Sequence, residues 1–262
     1  MFIVATQFLT RLPTPRLAEF ERSWLSQSAR YFPLVGALVG AISVGVWWLA
    51  RHWLPSSVAV GLMLAASLLA TGAFHEDGLA DTFDGMGAGG SKERILSVMK
   101  DSRLGAFGAI ALFMALGLKW AALDALPDRL VPVMVMTAHV LSRWCATALI
   151  WRLPYVRDEA GKSKPFANRL SGGEWALSGA IGCLGLVPVF GLSMQRWGAL
   201  APRSIAIASL AAALLAWLAA RYFRHRIGGY TGDCLGAVQQ LAELAFLLGG
   251  LAASSRLTLE ST

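Results

Sequence analysis

The chain has 262 residues, of which 56% are hydrophobic and only 15% are charged. Soluble domains carry about 25% charged residues, so the composition excludes a disordered protein, a coiled coil and an ordinary soluble enzyme. The formal net charge is +7, but the chain has no run of Lys and Arg residues, so we assign this charge to loops beside a membrane and expect no nucleic acid as a partner.

Seven segments approach the ~20 mostly apolar residues that a membrane-crossing helix needs. Residues 1–9 are apolar but too short to span, and Pro13 and Pro15 follow them, so we expect an interfacial helix there and no cleaved signal. The predicted spans are 31–50, 56–73, 104–123, 130–151, 174–194, 198–220 and 235–253. The sequence therefore predicts an all-α polytopic membrane helix bundle, with short interfacial or cytoplasmic helices, as a single integral membrane domain over residues 1–262.

Lys119, Arg143 and Glu243 are the charged residues that call for an explanation within the predicted spans. Lys119 lies near the end of its span, and we expect its side chain to extend outward to the membrane surface. Arg143 and Glu243 lie deeper, where an isolated charge is costly. They are expected either to pair with each other or to face a functional cavity.

The distribution of basic residues predicts how the chain is oriented. Of the 23 Lys and Arg residues, 16 fall in segments that share one side of the membrane, 5 fall on the other side and 2 lie within spans. The positive-inside rule then places the N-terminus in the cytoplasm and the C-terminus outside. With this orientation three polar segments, 75–85, 161–169 and 228–236, all lie on the cytoplasmic face.

The first polar segment carries four carboxylates directly after an apolar span: Glu76, Asp77, Asp81 and Asp84. If the segment is helical, its three aspartates fall within roughly 60° of one helix face. Like charges so placed repel each other, whereas Mg²⁺ is held by one or two carboxylates together with substrate phosphates. The segment therefore predicts metal-assisted chemistry on a phosphate substrate, with an acidic, solvated helix start as the alternative.

A short amphipathic helix is expected after the glycine-rich turn at 87–90, with Ser91 as its N-cap. Lys100 and Arg103 follow it. Beside an acidic cluster these two cations suit a diphosphate, for which Arg offers two parallel donors. They are equally suited to anchoring the chain at the cytoplasmic surface.

The second polar segment contains Lys162 and Lys164 between Gly161 and Pro165. It lacks the glycine and lysine spacing of a P-loop. It is interpreted either as a basic linker or as a flexible loop that binds an anionic ligand.

The third polar segment has glycines at 228, 229 and 232 around Thr231 and Asp233. Glycine lets the backbone approach a ligand closely. Asp233 opens the last predicted span, so it can serve as a helix N-cap, as a ligand, or as both.

Taken together, these motifs resemble the cobalamin synthase family, the adenosylcobinamide-GDP ribazoletransferases. The resemblance covers most of the chain. It rests on five segments in a fixed order: FLTRLP at 8–13, RYFPLVG at 30–36, HEDGLAD at 75–81 with Asp84, KDSRLGA at 100–106 and GDCLGA at 232–237.

The resemblance implies a Mg²⁺-dependent, multi-pass enzyme of the bacterial inner (cytoplasmic) membrane. Such an enzyme joins adenosylcobinamide-GDP to α-ribazole or its 5′-phosphate and releases GMP, which is the nucleotide-loop assembly step of cobalamin biosynthesis. The expected partners are the lipid bilayer and these small molecules. Homo-oligomers and contacts with other cobalamin-pathway enzymes stay open.

The resemblance also implies roles for individual residues. The expected catalytic groups are a general base, with His75 preferred over Glu76, and two phosphate-binding cations, Lys100 and Arg103. The expected metal ligands, direct or through water, are Asp77, Asp81, Asp84, Asp101 and Asp233. The expected substrate-binding residues are Arg11, Lys162, Lys164 and Thr231.

Other classes of protein remain as alternatives. CDP-alcohol phosphotransferases also place aspartates at the cytoplasmic end of their helices, with a D-G-x-x-A-R pattern. Here residues 77–82 are DGLADT, so the alanine and the arginine of that pattern are missing. Prenyltransferases with two aspartate-rich motifs match less well, because Asp233 stands alone. A cation or substrate transporter would place Arg143 and Glu243 on its path, and such proteins often carry inverted repeats, of which the chain gives no convincing sign.

Overall fold

The computed structural model describes residues 1–15, 21, 23–157, 169–197 and 200–259, and it describes the side chains of these residues except at 191–197, 200–201 and 255–259. Within this part of the chain the regular structure is helical, apart from one bridge between Tyr155 and Tyr230. The α-helices are α1 (Phe2–Leu9), α2 (Ser23–Ser28), α3 (Phe32–Arg51), α4 (Ser56–Thr71), α5 (Phe74–Ala88), α6 (Lys92–Val98), α7 (Ala106–Ala125), α8 (Val131–Arg152), α9 (Gly172–Trp197), α10 (Leu200–Ile227) and α11 (Gly232–Leu259).

Six helical segments are long and apolar enough to cross a membrane, so the chain is a multi-pass membrane protein with an all-α fold. These segments are Ser23–Arg51, Ala106–Ala125, Val131–Arg152, Gly172–Phe190, Pro202–Ile227 and Gly232–Ser254. Each overlaps one predicted span. The largest difference is at 31–50, where the qualifying segment begins eight residues earlier, and the next is at 198–220, where it ends seven residues later. The predicted helices at 1–9 and after Ser91 are also present, as α1 and α6.

The predicted span 56–73 differs, because the chain bends sharply at its end. Helix α4 has 16 residues and is about 24 Å long, short of the ~30 Å hydrocarbon core. It closes with a Schellman motif: the amides of Gly72 and Ala73 donate to the carbonyls of Leu69 and Leu68. Both residues are left-handed, and α5 leaves at 88° to α4. The two helices therefore form either a broken span or a re-entrant segment.

Helices α8 and α11 form the centre of the bundle. Within their spans 83% and 67% of the residues are buried, compared with 28% in both α7 and α10. The outer helices expose large apolar side chains such as Phe113 and Leu210. In a membrane protein these side chains are in contact with lipid, so the polar groups must lie inward or at the helix ends.

The charged residues inside the spans are arranged differently from the prediction. Lys119 does not extend outward: it is 2% exposed, and its ammonium donates to Glu243 Oε1 at 2.7 Å and Gln240 Oε1 at 2.6 Å. Glu243 also contacts His139 Nδ1 at 3.4 Å, while Arg143 donates to the His139 carbonyl at 3.0 Å. The predicted Arg143–Glu243 pair is therefore wrong. Because α7 packs beside α11, Lys119 supplies the cation that the buried carboxylate requires.

Candidate active site

A cavity of about 730 Å³ lies where α1, the α4–α5 bend, α5 and the start of α7 meet. Its polar lining includes Arg11, Glu76, Asp77 and Asp81. Phenylalanine and leucine residues are also part of the lining, so the cavity has both polar and apolar walls. This is the place in the described structure where several predicted site residues converge.

Helix α5 presents acids to this cavity, and it supplies the helical form under which the aspartates were expected to share one face. Asp77 is exposed and Asp81 is half-buried, one turn further along the same face. Glu76 is only 7% exposed. Its Oε1 accepts a 2.8 Å hydrogen bond from Gln240 Nε2, whereas its Oε2 has no hydrogen-bond partner among the described residues. One carboxylate oxygen is therefore fixed, and the other is buried and unpaired.

Asp233 reaches the same region because α5 crosses α11 at two glycines. A Cβ at Gly78 would lie 2.9 Å from the Asp233 carbonyl oxygen, and one at Gly236 would lie 2.9 Å from the His75 carbonyl oxygen. The charges of Asp233 and Asp77 both act on the Asp81 carboxylate. The structure thus brings Asp233 to the acidic helix, as the topology predicted, although the two are far apart in the sequence.

Arg157 is a residue of this site that sequence reasoning missed. Its Nη2 donates to Asp233 Oδ2 at 2.6 Å and to the Met99 carbonyl at 3.1 Å. The bridge between Tyr155 and Tyr230 holds the segment after α8 beside the segment before α11, which places Arg157 against Asp233. In the sequence Arg157 is one of many basic residues beside a span, and no signal distinguishes it from a membrane anchor.

Thr231 has a structural role in the described structure, and its contact with substrate stays a prediction. It is fully buried, and its hydroxyl accepts from the Cys234 amide at 3.4 Å and donates to Asp233 Oδ2 at 3.4 Å. Thr231, and not Asp233, is therefore the residue whose side chain caps α11. Its effect on the site is to orient the Asp233 carboxylate.

Asp84, predicted as a metal ligand, anchors α5 to α7 instead. Its Oδ2 accepts from the Gly105 amide at 2.7 Å and its Oδ1 from the Gly108 amide at 2.8 Å. The first amides of a helix have no partner within the helix and favour a negative charge. Both carboxylate oxygens are thus committed, and a Cβ at either glycine would collide with them. We leave Asp84 out of the metal site.

The turn before α7 holds Lys100, Asp101 and Arg103 at the surface. Arg103 donates to both carboxylate oxygens of Asp101, with an Nη2–Oδ2 distance of 2.6 Å. Hydrogen bonds from the Arg103 side chain and backbone lower the pKa of Asp101 to about 2. Ser102 lines the cavity, but these three neighbours do not. They border it, and the phosphate and metal roles expected for them stay predictions.

The two candidates for the general base face different cavities. His75 is buried and lines a second cavity of about 30 Å³ with Arg143 and Gln239. Glu76, the next residue, lines the large cavity beside Asp77. The preference for His75 is therefore not supported, because its side chain is on the side of α5 away from the acids.

Arg11 is the basic residue that lines the large cavity in the described part of the chain. Its amide donates to the Ala70 carbonyl at 2.8 Å. Its side chain packs directly against Gly72, where a Cβ would lie 2.5 Å from the Arg11 Nε atom. No carboxylate within the described residues forms an ion pair with it, so its guanidinium is available to an anion. Lys162 and Lys164 lie outside the described residues.

The cobalamin-5-phosphate synthase (CobS) family matches residues 1–252 of the chain. The chain belongs to this family. Curated relatives are similar along nearly their whole length. An adenosylcobinamide-GDP ribazoletransferase from Leptothrix cholodnii is 45% identical over 258 residues, with 96% of this chain and 95% of the relative covered. The corresponding protein of Ralstonia pickettii is 45% identical over 95% of this chain and 93% of the relative. No solved structure matches the chain.

The acids of this CobS family member can be tested for their fit to a metal ion. Among the described residues no group of three or more His, Cys, Asp or Glu side chains forms a ready-made metal site. Mg²⁺ does not require one, since it keeps several waters and binds one or two carboxylates with substrate phosphates. Asp77 and Asp81, one turn apart and open to the cavity, supply that number of carboxylates. The residues present therefore fit Mg²⁺ bound together with a phosphate substrate.

Proposed function

We propose that the protein joins adenosylcobinamide-GDP to α-ribazole or its 5′-phosphate, releasing GMP and giving adenosylcobalamin or its phosphate. The observation that carries the proposal is one cavity that gathers Arg11 with Glu76, Asp77 and Asp81. The names of the 45% identical relatives supply the substrates. The partners in this proposal are the lipid bilayer and small molecules, with no nucleic acid.

The mechanism follows from the charges that line the cavity. Mg²⁺ held by Asp77 and Asp81 would neutralise the diphosphate. Arg11 donates to a non-bridging phosphate oxygen and orients the phosphorus that carries cobinamide. The free Oε2 of Glu76 accepts the proton of the attacking ribazole hydroxyl. The new phosphorus–oxygen bond forms as the bond to the GMP phosphate breaks, and GMP leaves.

Asp81→Asn tests the proposal, because the substitution preserves size and removes the charge. We expect the purified variant to lose GMP release at saturating Mg²⁺ while its melting temperature in detergent stays within a few degrees of wild type. Asp124→Asn is the matched control: Asp124 is an exposed aspartate outside the cavity, and its variant should turn over normally. Turnover of Asp81→Asn near the wild-type rate would refute the assignment. Parallel assays with α-ribazole and its 5′-phosphate identify the preferred acceptor.

We further propose that the cavity opens to the cytoplasm, at the inner membrane of a bacterium, with the N-terminus inside. The support is the 16-to-5 division of basic residues. Ser102 beside the cavity and Asp128 between α7 and α8 are both exposed and lie at opposite ends of α7.

Cysteine labelling tests this orientation in cells. In a Cys183→Ser background, which removes the exposed native thiol, an impermeant maleimide should label Asp128→Cys from outside and Ser102→Cys only after permeabilisation. The reverse pattern would place the cavity outside the cell and overturn the proposed orientation.

A further inference from the structure

A continuous chain of buried hydrogen bonds links Glu76 to the centre of the bundle. Gln240 Nε2 donates to Glu76 Oε1 at 2.8 Å, and Lys119 Nζ donates to Gln240 Oε1 at 2.6 Å. Lys119 also donates to Glu243 Oε1 at 2.7 Å. Gln240 is 3% exposed and Lys119 is 2% exposed. Three separate helices, α5, α7 and α11, therefore meet at one glutamine side chain.

The chemistry of these groups fixes which way the Gln240 amide points. An ammonium group only donates hydrogen bonds, so the amide oxygen of Gln240 must face Lys119. Its nitrogen must then face outward, where it donates to Glu76 Oε1 and to Gln239 Oε1. A flipped amide would place its hydrogens against the ammonium and its oxygen against a carboxylate. Lys119 thus determines, through Gln240, the donor that is offered to Glu76.

The consequence for the cavity is that Glu76 has one bound and one free oxygen. Oε1 is held by Gln240, and Oε2 is buried with no partner among the described residues, in a side chain that lines the cavity. A buried oxygen left unpaired is costly. The arrangement is accounted for if a substrate hydroxyl donates to Oε2 when it binds.

We propose that Gln240 and Lys119 are positioning residues for Glu76, holding its carboxylate so that Oε2 is presented to the reacting hydroxyl. The inference rests on the proposed function and adds two residues remote from the reacting atoms. Neither touches the cavity. Both act through Glu76, and Gln240 is the residue that transmits the effect.

Gln240→Met is the main test, because methionine has similar size and lacks the amide. We expect kcat for GMP release to fall roughly 10- to 100-fold, with KM for adenosylcobinamide-GDP changed less than about threefold. Combined with Glu76→Gln, it should lower kcat no further than Glu76→Gln alone, because both act on the same group. Lys119→Arg keeps the cation, and its kcat should stay nearer to wild type than that of Gln240→Met.

Gln239→Met is the matched control. Gln239 is 1% exposed, donates to Ser142 and Glu243, and accepts one hydrogen bond from Gln240 Nε2. It does not bond to Glu76, so Gln240 keeps its own bonds to Glu76 and Lys119 when Gln239 is replaced. Its variant should lose stability, measured as melting temperature in detergent, while kcat stays within about threefold of wild type. If loosening of the core were the cause of lost activity, Gln239→Met would reduce kcat as much as Gln240→Met, and the inference would be overturned.

Two failures can be told apart. A wild-type protein that releases no GMP, or an active Asp81→Asn variant, would count against the proposed function itself. With wild type active and Asp81→Asn inactive, an unchanged kcat in Gln240→Met would reject the positioning role alone. The positioning role would also be rejected if kcat of the double variant, Gln240→Met with Glu76→Gln, fell by the product of the two single losses.

Discussion

A methyl group at position 78 tests whether α5 and α11 form one site. In Gly78→Ala the new Cβ would lie 2.9 Å from the Asp233 carbonyl oxygen and 3.1 Å from its Cα. Both neighbours are backbone atoms, which cannot rotate away as a flexible side chain can. Ordinary contacts begin at 3.4 Å, so the helices must separate by about 0.5 Å at the crossing, the difference between 2.9 and 3.4 Å.

This separation should affect both stability and activity. Inserting a methyl group into a packed contact costs about 1–3 kcal/mol of the free energy of unfolding. A misplacement of ~1 Å at a reacting centre can cost a factor of ~100 in rate. For a shift about half as large we expect GMP release to fall about tenfold, because Asp77 and Asp81 move away from Asp233.

GMP release at saturating Mg²⁺ and unfolding in detergent measure the two effects separately. Gly117→Ala is the control, since a Cβ at this helical glycine in α7 meets no atom within 4 Å. It should retain the wild-type rate, and alanine in place of glycine in a helix favours folding by about 0.5–1 kcal/mol. Gly236→Ala, at the other side of the crossing, should behave like Gly78→Ala. A wild-type rate in both crossing variants would refute the shared site.

Three further outcomes are expected. Lys119→Met should lower the free energy of unfolding by about 3–5 kcal/mol, because it leaves the buried Glu243 carboxylate without its cation, and adding Glu243→Gln should restore most of that loss in the same denaturation assay. Asp84→Ala should cost about 1–2 kcal/mol, since it removes the cap of α7, and hydrogen exchange at the first turn of α7 should accelerate. Because Arg103 lowers the pKa of Asp101 from 3.8 to about 2, their pair stabilises the fold fully above about pH 4. That contribution is lost as pH falls toward 2. The unfolding midpoints of wild type and Asp101→Asn, measured as a function of pH, should therefore converge at low pH. A difference that stays constant with pH would contradict the pairing.

The membrane architecture is largely predictable from hydropathy, because a bilayer demands about 20 apolar residues for each span. The bend between α4 and α5 is not predictable in this way. Residues 56–73 contain the apolar composition of a span, and Gly72 alone marks the place where the helix closes. The next residue, Ala73, is also left-handed, which is uncommon for a residue other than glycine, so no local pattern indicates it.

The candidate site was predictable where one helix face or the topology determines proximity. Periodicity placed Asp77 and Asp81 on one face, and the span count placed Asp233 near them. Periodicity cannot say which neighbour a face meets, so it grouped Asp84 with the metal ligands although the start of α7 binds it. For the same reason periodicity could not identify Gln240, because its role depends on a contact with the buried side chain of Lys119.

The distribution of charge in the cavity gives the final argument for a metal ion. Among the described residues that line it, Glu76, Asp77 and Asp81 face one cation, Arg11. Asp233 does not add to the imbalance, since Arg157 pairs with it. A diphosphate entering such a cavity would meet an excess of acidic groups, which would repel it. A divalent cation bound to the aspartates reverses the sign of that interaction. The arrangement that would repel the proposed substrate by itself is therefore the one that we expect to bind it together with Mg²⁺.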